Sequence, residues 1–137
     1  MGDNTGRCLE ALSESVRRIG IVLEHFAEHG YEDADEFIRA ASDTSSEAFE
    51  RQDFLVHQLD LATEGVRLVR DMGRDDILDH IDGLLAPTGQ RIVNFINLHR
   101  HVYHSYSSIN YLIVWNTIAE HLDDVGHAIA RTILDYS

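Results

Sequence analysis

Apolar residues in this chain recur at steps of three and four, and that spacing limits the possible folds more than any other feature. Leu9, Leu12, Val16, Ile19, Leu23 and Phe26 are separated by 3, 4, 3, 4 and 3 residues. They draw one stripe along a helix spanning about 5–28 that stops at Gly30. Leu55, Leu59, Ala62, Val66 and Val69 draw a second stripe on a helix over about 46–71, ended at Met72-Gly73. The acidic, small-residue stretch 31–45 has room for one short helical turn over 35–41. Asp75 is placed as the N-cap of a short helix bearing Ile77, Leu78, Ile81 and Leu84, and Pro87-Thr88-Gly89 then breaks the chain. A further helix is expected over about 90–104, interrupted by Ser105, Ser107 and Ser108. A last one over about 110–135 carries Leu112, Trp115, Ile118, Leu122, Val125, Ile129 and Ile133 on one face. No stretch alternates with period two for long enough to propose a sheet. The expected architecture is all-α: an up-down four-helix bundle with an additional short helix, forming one domain over 1–137.

A chain of 137 residues, 44% of them hydrophobic, suits a single core. Asp and Glu number 24 against 11 basic residues, all arginine, for a formal net charge of −13. That balance opposes broad, non-specific binding to nucleic acid or to a membrane surface. The lone cysteine, Cys8, allows no internal disulfide, so a reducing cytoplasm fits best. The start Met1-Gly2-Asp3-Asn4-Thr5-Gly6 has neither a basic n-region nor an apolar h-region, and Gly6 stands where an N-myristoylation signal needs Ser or Thr. No apolar run approaches a membrane span. Phe54, Leu61 and Leu68, seven apart, leave the second long helix with more apolar surface than one seam requires. A wide core stripe and a homodimer interface both account for it.

The residues able to carry chemistry concentrate in one place. His99, His101 and His104 fall within six residues beside Arg100. On a continuous helix Arg100 and His104, four apart, lie one turn above each other on the same face. RNA phosphodiester cleavage asks for a base, an acid and a fixed cation on the phosphorane. Histidine can serve either proton step and arginine binds phosphate bidentately. A solvated polar helix face is the plainer account of the same residues. Metal binding has less to recommend it: His25 and His29, and Asp53 and His57, are four apart, and His121 and His127 share the last helix, but no Glu-x-x-His pair is repeated on two helices. No metal or other cofactor is expected. Neither a nucleophile elbow nor a glycine-rich phosphate loop is present.

The run His99-Arg100-His101-Val102-Tyr103-His104-Ser105-Tyr106, followed by Ile109-Asn110-Tyr111-Leu112-Ile113-Val114-Trp115, resembles the C-terminal signature of HepT-like proteins of the HEPN superfamily. There an Arg-Asn-x-x-x-His-x-Tyr motif ends one helix and an Ile-Asp-aromatic-x-x-Val-Trp segment opens the next. The family's second helix is also similar to the segment 54–68. The resemblance implies an all-helical homodimer whose paired motifs line a shared cleft and cut RNA without metal, as the toxin of a toxin-antitoxin pair. It also implies a partner, a minimal nucleotidyltransferase antitoxin that neutralises the toxin by AMPylation of the motif tyrosine. By position, His104 matches the catalytic histidine and Tyr106 the modified tyrosine.

The departures are specific. His99 holds the family's arginine position, Arg100 its asparagine position, and Asn97 stands where the family commonly has glycine; the proline-tryptophan pair often found before this helix is missing. Arg100 substitutes from the adjacent position, or His99 takes an altered role, or the site is inert. Two functions follow. One is an RNase with His104 as acid or base, Arg100 and His99 as phosphate ligands, Tyr106 as control point, and Arg91 and His101 extending the RNA-binding patch. The other is a degenerate HEPN module that binds a partner or nucleotide and cleaves nothing.

Overall fold

The computed structural model describes residues 3–42, 47–105 and 108–137, with the backbone alone at 41–42, 48–49, 99, 101, 103–105 and 108. The first stripe becomes α1, Thr5–His29, closed by Gly30 in the left-handed region at φ +59°, whose N–H bonds to the Phe26 carbonyl at 3.4 Å. The second becomes α3, Glu47–Asp71. α2, Ala34–Ser42, fills the connection between them. α4, Asp75–Leu85, starts at the residue expected to cap it: Arg74 holds the N-cap position and Asp75 lies inside the first turn, where its charge complements the helix dipole.

α3 is the central helix. It packs along α1 and also meets α2 and α5 (Ile92–Ile96), while α8 (Leu122–Tyr136) lies against α1 and α4. The α1–α3 crossing is closest at Gly65, where a Cβ would fall on Ser15 Oγ and the Ala11 carbonyl oxygen. Leu12 and Ile19 of α1 and Leu59, Ala62 and Val66 of α3 are buried on this seam. A second nucleus is aromatic. Phe37 of α2, fully buried, has the rings of Tyr31, Phe26 and Trp115 around it at 5.1, 6.0 and 5.7 Å. Buried Gln52 joins α3 to this nest by donating to the Phe37 carbonyl at 2.9 Å and accepting from the Tyr31 hydroxyl at 3.3 Å.

The spare surface of α3 is resolved only in part by core packing. The buried stripe takes Leu55, Val56, Leu59, Ala62, Val66 and Val69, but Phe54 and Leu68 stay 38% and 46% exposed.

Three expectations for the C-terminal half need correction. The helix expected over 90–104 is two five-residue helices, α5 (Ile92–Ile96) and α6 (Leu98–Val102), separated at Asn97, whose φ −90° and ψ 6° leave the α basin. Asparagine is a weak helix former because its side chain competes for the backbone. A small sheet was not expected, yet β1 (Tyr103–Ser105) pairs antiparallel with β2 (Ser108–Ile109), with Tyr103 opposite Ile109. Aromatic and β-branched residues suit such a ladder better than a helix end. The last helix is not uniform either: α7 (Tyr111–Asn116) runs through a π-helical turn, Thr117–His121, into α8.

The two ends of the chain are tied to α4. Arg74 donates two hydrogen bonds to Asp76, at 2.9 and 3.0 Å, and reaches Asn4 and Thr5 at 2.9 and 2.7 Å. Tyr136 donates to the same Asp76 at 3.3 Å. The Arg74 guanidinium holds the Asp76 carboxyl down at about 2.

Candidate functional site

Short helices need external support, because a single turn does not offset its own nucleation. α5 receives it from α4: the Asp82 carboxylate accepts from the Ile92 N–H at 2.7 Å, satisfying one of the first free donors of the helix. Its apolar residues Ile92, Phe95 and Ile96 are buried, and Leu98 and Val102 of α6 continue the same core. This leaves Arg91 and Arg100 exposed on the outside of the α5–α6 segment.

The hairpin that follows α6 is closed at its base. Asn110 N–H donates to the Val102 carbonyl at 2.6 Å, and the Asn110 side chain accepts from Ile113 N–H at 3.2 Å, capping α7. His104 therefore lies on β1, beyond the end of α6, and does not share a helix with Arg100. The same-face placement of those two residues is overturned by the strand pairing of Tyr103 with Ile109, which ends the helical path at Val102. His99 and His101 belong to α6, and their side chains, like that of His104, lie outside the described residues. Tyr106 lies outside them altogether.

Beside this segment is a cleft of about 420 Å³ between α5 and the bulged C-terminal helix. Phe95, Leu98, Ile113 and Val125 form its apolar wall, and Arg91, Asn94, Thr117 and His121 its polar rim, with Gln90 and Gly89 at one end. Thr117 and His121 are the first and last residues of the π turn, and His121 departs from helical geometry at φ −125°. Such turns widen a helix and are frequent at functional sites. The Thr117 hydroxyl donates to the Ile113 carbonyl at 2.8 Å, and the Gln90 amide donates to Asp124 at 3.4 Å. Of these rim residues the sequence marks Arg91 as part of an RNA-binding patch and His121 only as one of two histidines on the last helix, while Asn94 and Thr117 carry no signal until the chain is folded.

Six of the eleven arginines are paired with carboxylates. Arg17 and Arg18 pair with Glu14, Arg51 with Glu47, Arg70 with Asp71, Arg74 with Asp76, and Arg131 with Asp135. Arg7, Arg39, Arg67, Arg91 and Arg100 make no ion pair among the described residues, and of these Arg91 and Arg100 lie on the α5–α6 segment. The described lining of the cleft contains an arginine and a histidine and no carboxylate, in a chain with 24 acidic residues.

The remaining histidines have ordinary surroundings. His25 stacks on Phe54 with ring centroids 4.7 Å apart, His80 meets Asp135 at 2.8 Å, and His127 meets Asp123 at 3.3 Å. Among the described residues no three His, Cys, Asp or Glu side chains are grouped to hold a metal ion, and no helix is long and apolar enough to cross a membrane. No known protein family, no curated protein and no solved structure matches the chain.

Proposed function

We propose that this chain is a HEPN-type, metal-independent RNA-cleaving toxin of a toxin-antitoxin pair, with His104 as acid or base. Arg100 and His99 hold the phosphate, and Arg91 and His101 extend the contact with RNA. Neutralisation proceeds by AMP transfer to Tyr106 from a nucleotidyltransferase antitoxin. The observation that carries this reading is Arg100, exposed on α6 with no ion pair among the described residues, followed closely by the hairpin strand that bears His104. An exposed guanidinium is available to a phosphate, and histidine, which the following strand carries in its sequence, is the residue type suited to proton transfer. The domain is helical apart from the β1–β2 hairpin, which fits the helical class the reading requires. A homodimer through the exposed Phe54 and Leu68 face would bring two such segments to one molecule.

A second reading, a degenerate HEPN module that binds a partner or nucleotide and cleaves nothing, draws on the break after Val102: Arg100 and His104 are not held on one rigid helix. One experiment separates the two. Purified protein is incubated with total RNA in EDTA beside a His104→Ala variant. Cleavage that disappears in the variant is the expected result; intact RNA with both proteins, or equal cleavage by both, overturns the toxin reading.

A further inference from the structure

The cleft between α5 and the π turn is a seat for a ligand of definite chemistry. Its volume, about 420 Å³, lies in the range of small-molecule sites. One wall is apolar, and the rim offers a guanidinium, an imidazole and an amide, while carboxylates are absent from the described lining. In a chain of net charge −13, a concavity whose described lining carries an arginine and a histidine and no carboxylate, with Asp124 reaching it only through the Gln90 amide, favours an anion over a cation. The apolar wall adds a second requirement: the anion must carry a flat or bulky apolar body that gains by leaving water. The Asn94 amide can pair with the donor and acceptor edge of a nucleobase, as side-chain amides do. Thr117, whose hydroxyl hydrogen is used within its own helix, turns only acceptor capacity to the cleft and suits a sugar hydroxyl.

The geometry points to a nucleotide subsite, in which Arg91 and His121 hold a phosphate and the base lies against Ile113 and Leu98 with its edge on Asn94. The inference rests on the RNA-cleaving reading and deepens it: the subsite seats one nucleotide of the bound strand away from the cut bond. It assigns a role to His121 and to the π turn, which the cleavage chemistry does not use. The bulge earns its place by setting Thr117 and His121 on the rim of one cavity.

Binding is measured by calorimetry on the full chain with adenosine and uridine 5′-monophosphates, with uridine, with inorganic phosphate and with benzoate. Mononucleotides contain no internucleotide bond, so occupancy is read independently of cleavage. Expected is saturable binding of at least one nucleotide, weaker binding of uridine and of phosphate alone, and a loss of about tenfold or more in Arg91→Gln and in His121→Gln. Asn94→Trp, which fills the cleft from its exposed rim, should abolish binding, and Arg17→Gln, a surface arginine elsewhere, should leave it intact. Melting curves verify that each variant is folded. No binding by either nucleotide, binding unchanged in both Arg91→Gln and His121→Gln, or benzoate binding as tightly as the nucleotides, overturns the subsite. RNA cleavage without nucleotide binding refutes the subsite and leaves the cleavage reading standing. Nucleotide binding without cleavage does the reverse.

Discussion

Replacing Gly65 with alanine pits two effects of known size against each other. Within a helix, Gly→Ala is worth about 1 kcal/mol of added stability through backbone entropy. Here the new methyl would land on Ser15 Oγ and on the Ala11 carbonyl oxygen, with the Ala11 carbonyl carbon 3.1 Å away. A serine hydroxyl can rotate aside, but a helix carbonyl cannot. To regain ordinary van der Waals separation, α1 and α3 must part by about 1 Å, a gap that forfeits roughly a quarter to a half of each contact across the seam. Leu12, Ile19, Leu59 and Val66 are buried on that seam, so the loss falls on core packing; overpacking of this kind typically costs about 1–3 kcal/mol. With the upper value and the propensity gain opposed, the net change is a destabilisation of about 2 kcal/mol. At about 2.1 cal/mol/K of unfolding entropy per residue, a chain of 137 residues then melts roughly 7 °C lower. Thermal unfolding followed by circular dichroism reads this directly. Ser15→Ala is the companion variant: Ser15 Oγ is buried with no hydrogen-bond partner, so its removal should be neutral or slightly stabilising. A Gly65→Ala protein that melts at or above the wild-type temperature would refute the close crossing, because propensity alone would then have decided the outcome.

Phe37→Ala, which empties the centre of the aromatic nest, should destabilise by about 3–5 kcal/mol in denaturant titration. Asp76, held at about 2 against an ordinary 3.8, contributes stability that is complete above about pH 4 and is lost as pH falls toward 2. Asp76→Asn should flatten the acid limb of the stability profile over that window, by a small amount since the Arg74 pair is half exposed. Light scattering at micromolar concentration should return twice the 15.5 kDa chain mass and revert toward one chain mass in Leu68→Asp, with little dependence on salt. Tyr106→Phe should keep whatever RNA cleavage the wild type performs and gain no AMP by intact-mass measurement when a nucleotidyltransferase partner and ATP are supplied; a mass gain persisting in this variant would place the modification elsewhere.

Long amphipathic helices are legible because each carries many repetitions of its own period. α1 ends at His29 and α3 at Asp71, within a residue of where the stripes and the glycines Gly30 and Gly73 place them. Short elements lack that redundancy. The segment 92–102 reads as one helix because Ile92, Phe95, Ile96 and Leu98 keep a helical beat across Asn97, and only the tertiary frame, through the Asp82 cap and the hairpin, decides that it breaks. Phe37 drew no attention in the sequence, since one aromatic in an acidic stretch announces no core; its importance comes from rings on α1 and α7 meeting there. The candidate cleft was illegible for the same reason. Arg91 and His121 are thirty residues apart in the chain, and nothing local marks the π turn that brings the second of them to the rim.

The hydrogen bond from Asn110 to the Val102 carbonyl is a clasp between the two helices that the hairpin joins. Because Val102 and Asn110 are joined across the strand pair, the ends of α6 and α7 are held to each other by backbone alone, whatever side chains the connection carries. The same Asn110 starts the next helix, so the clasp and the helix stand or fall together. Ile109, which packs on the core, is the residue of that connection whose replacement should lower the melting temperature.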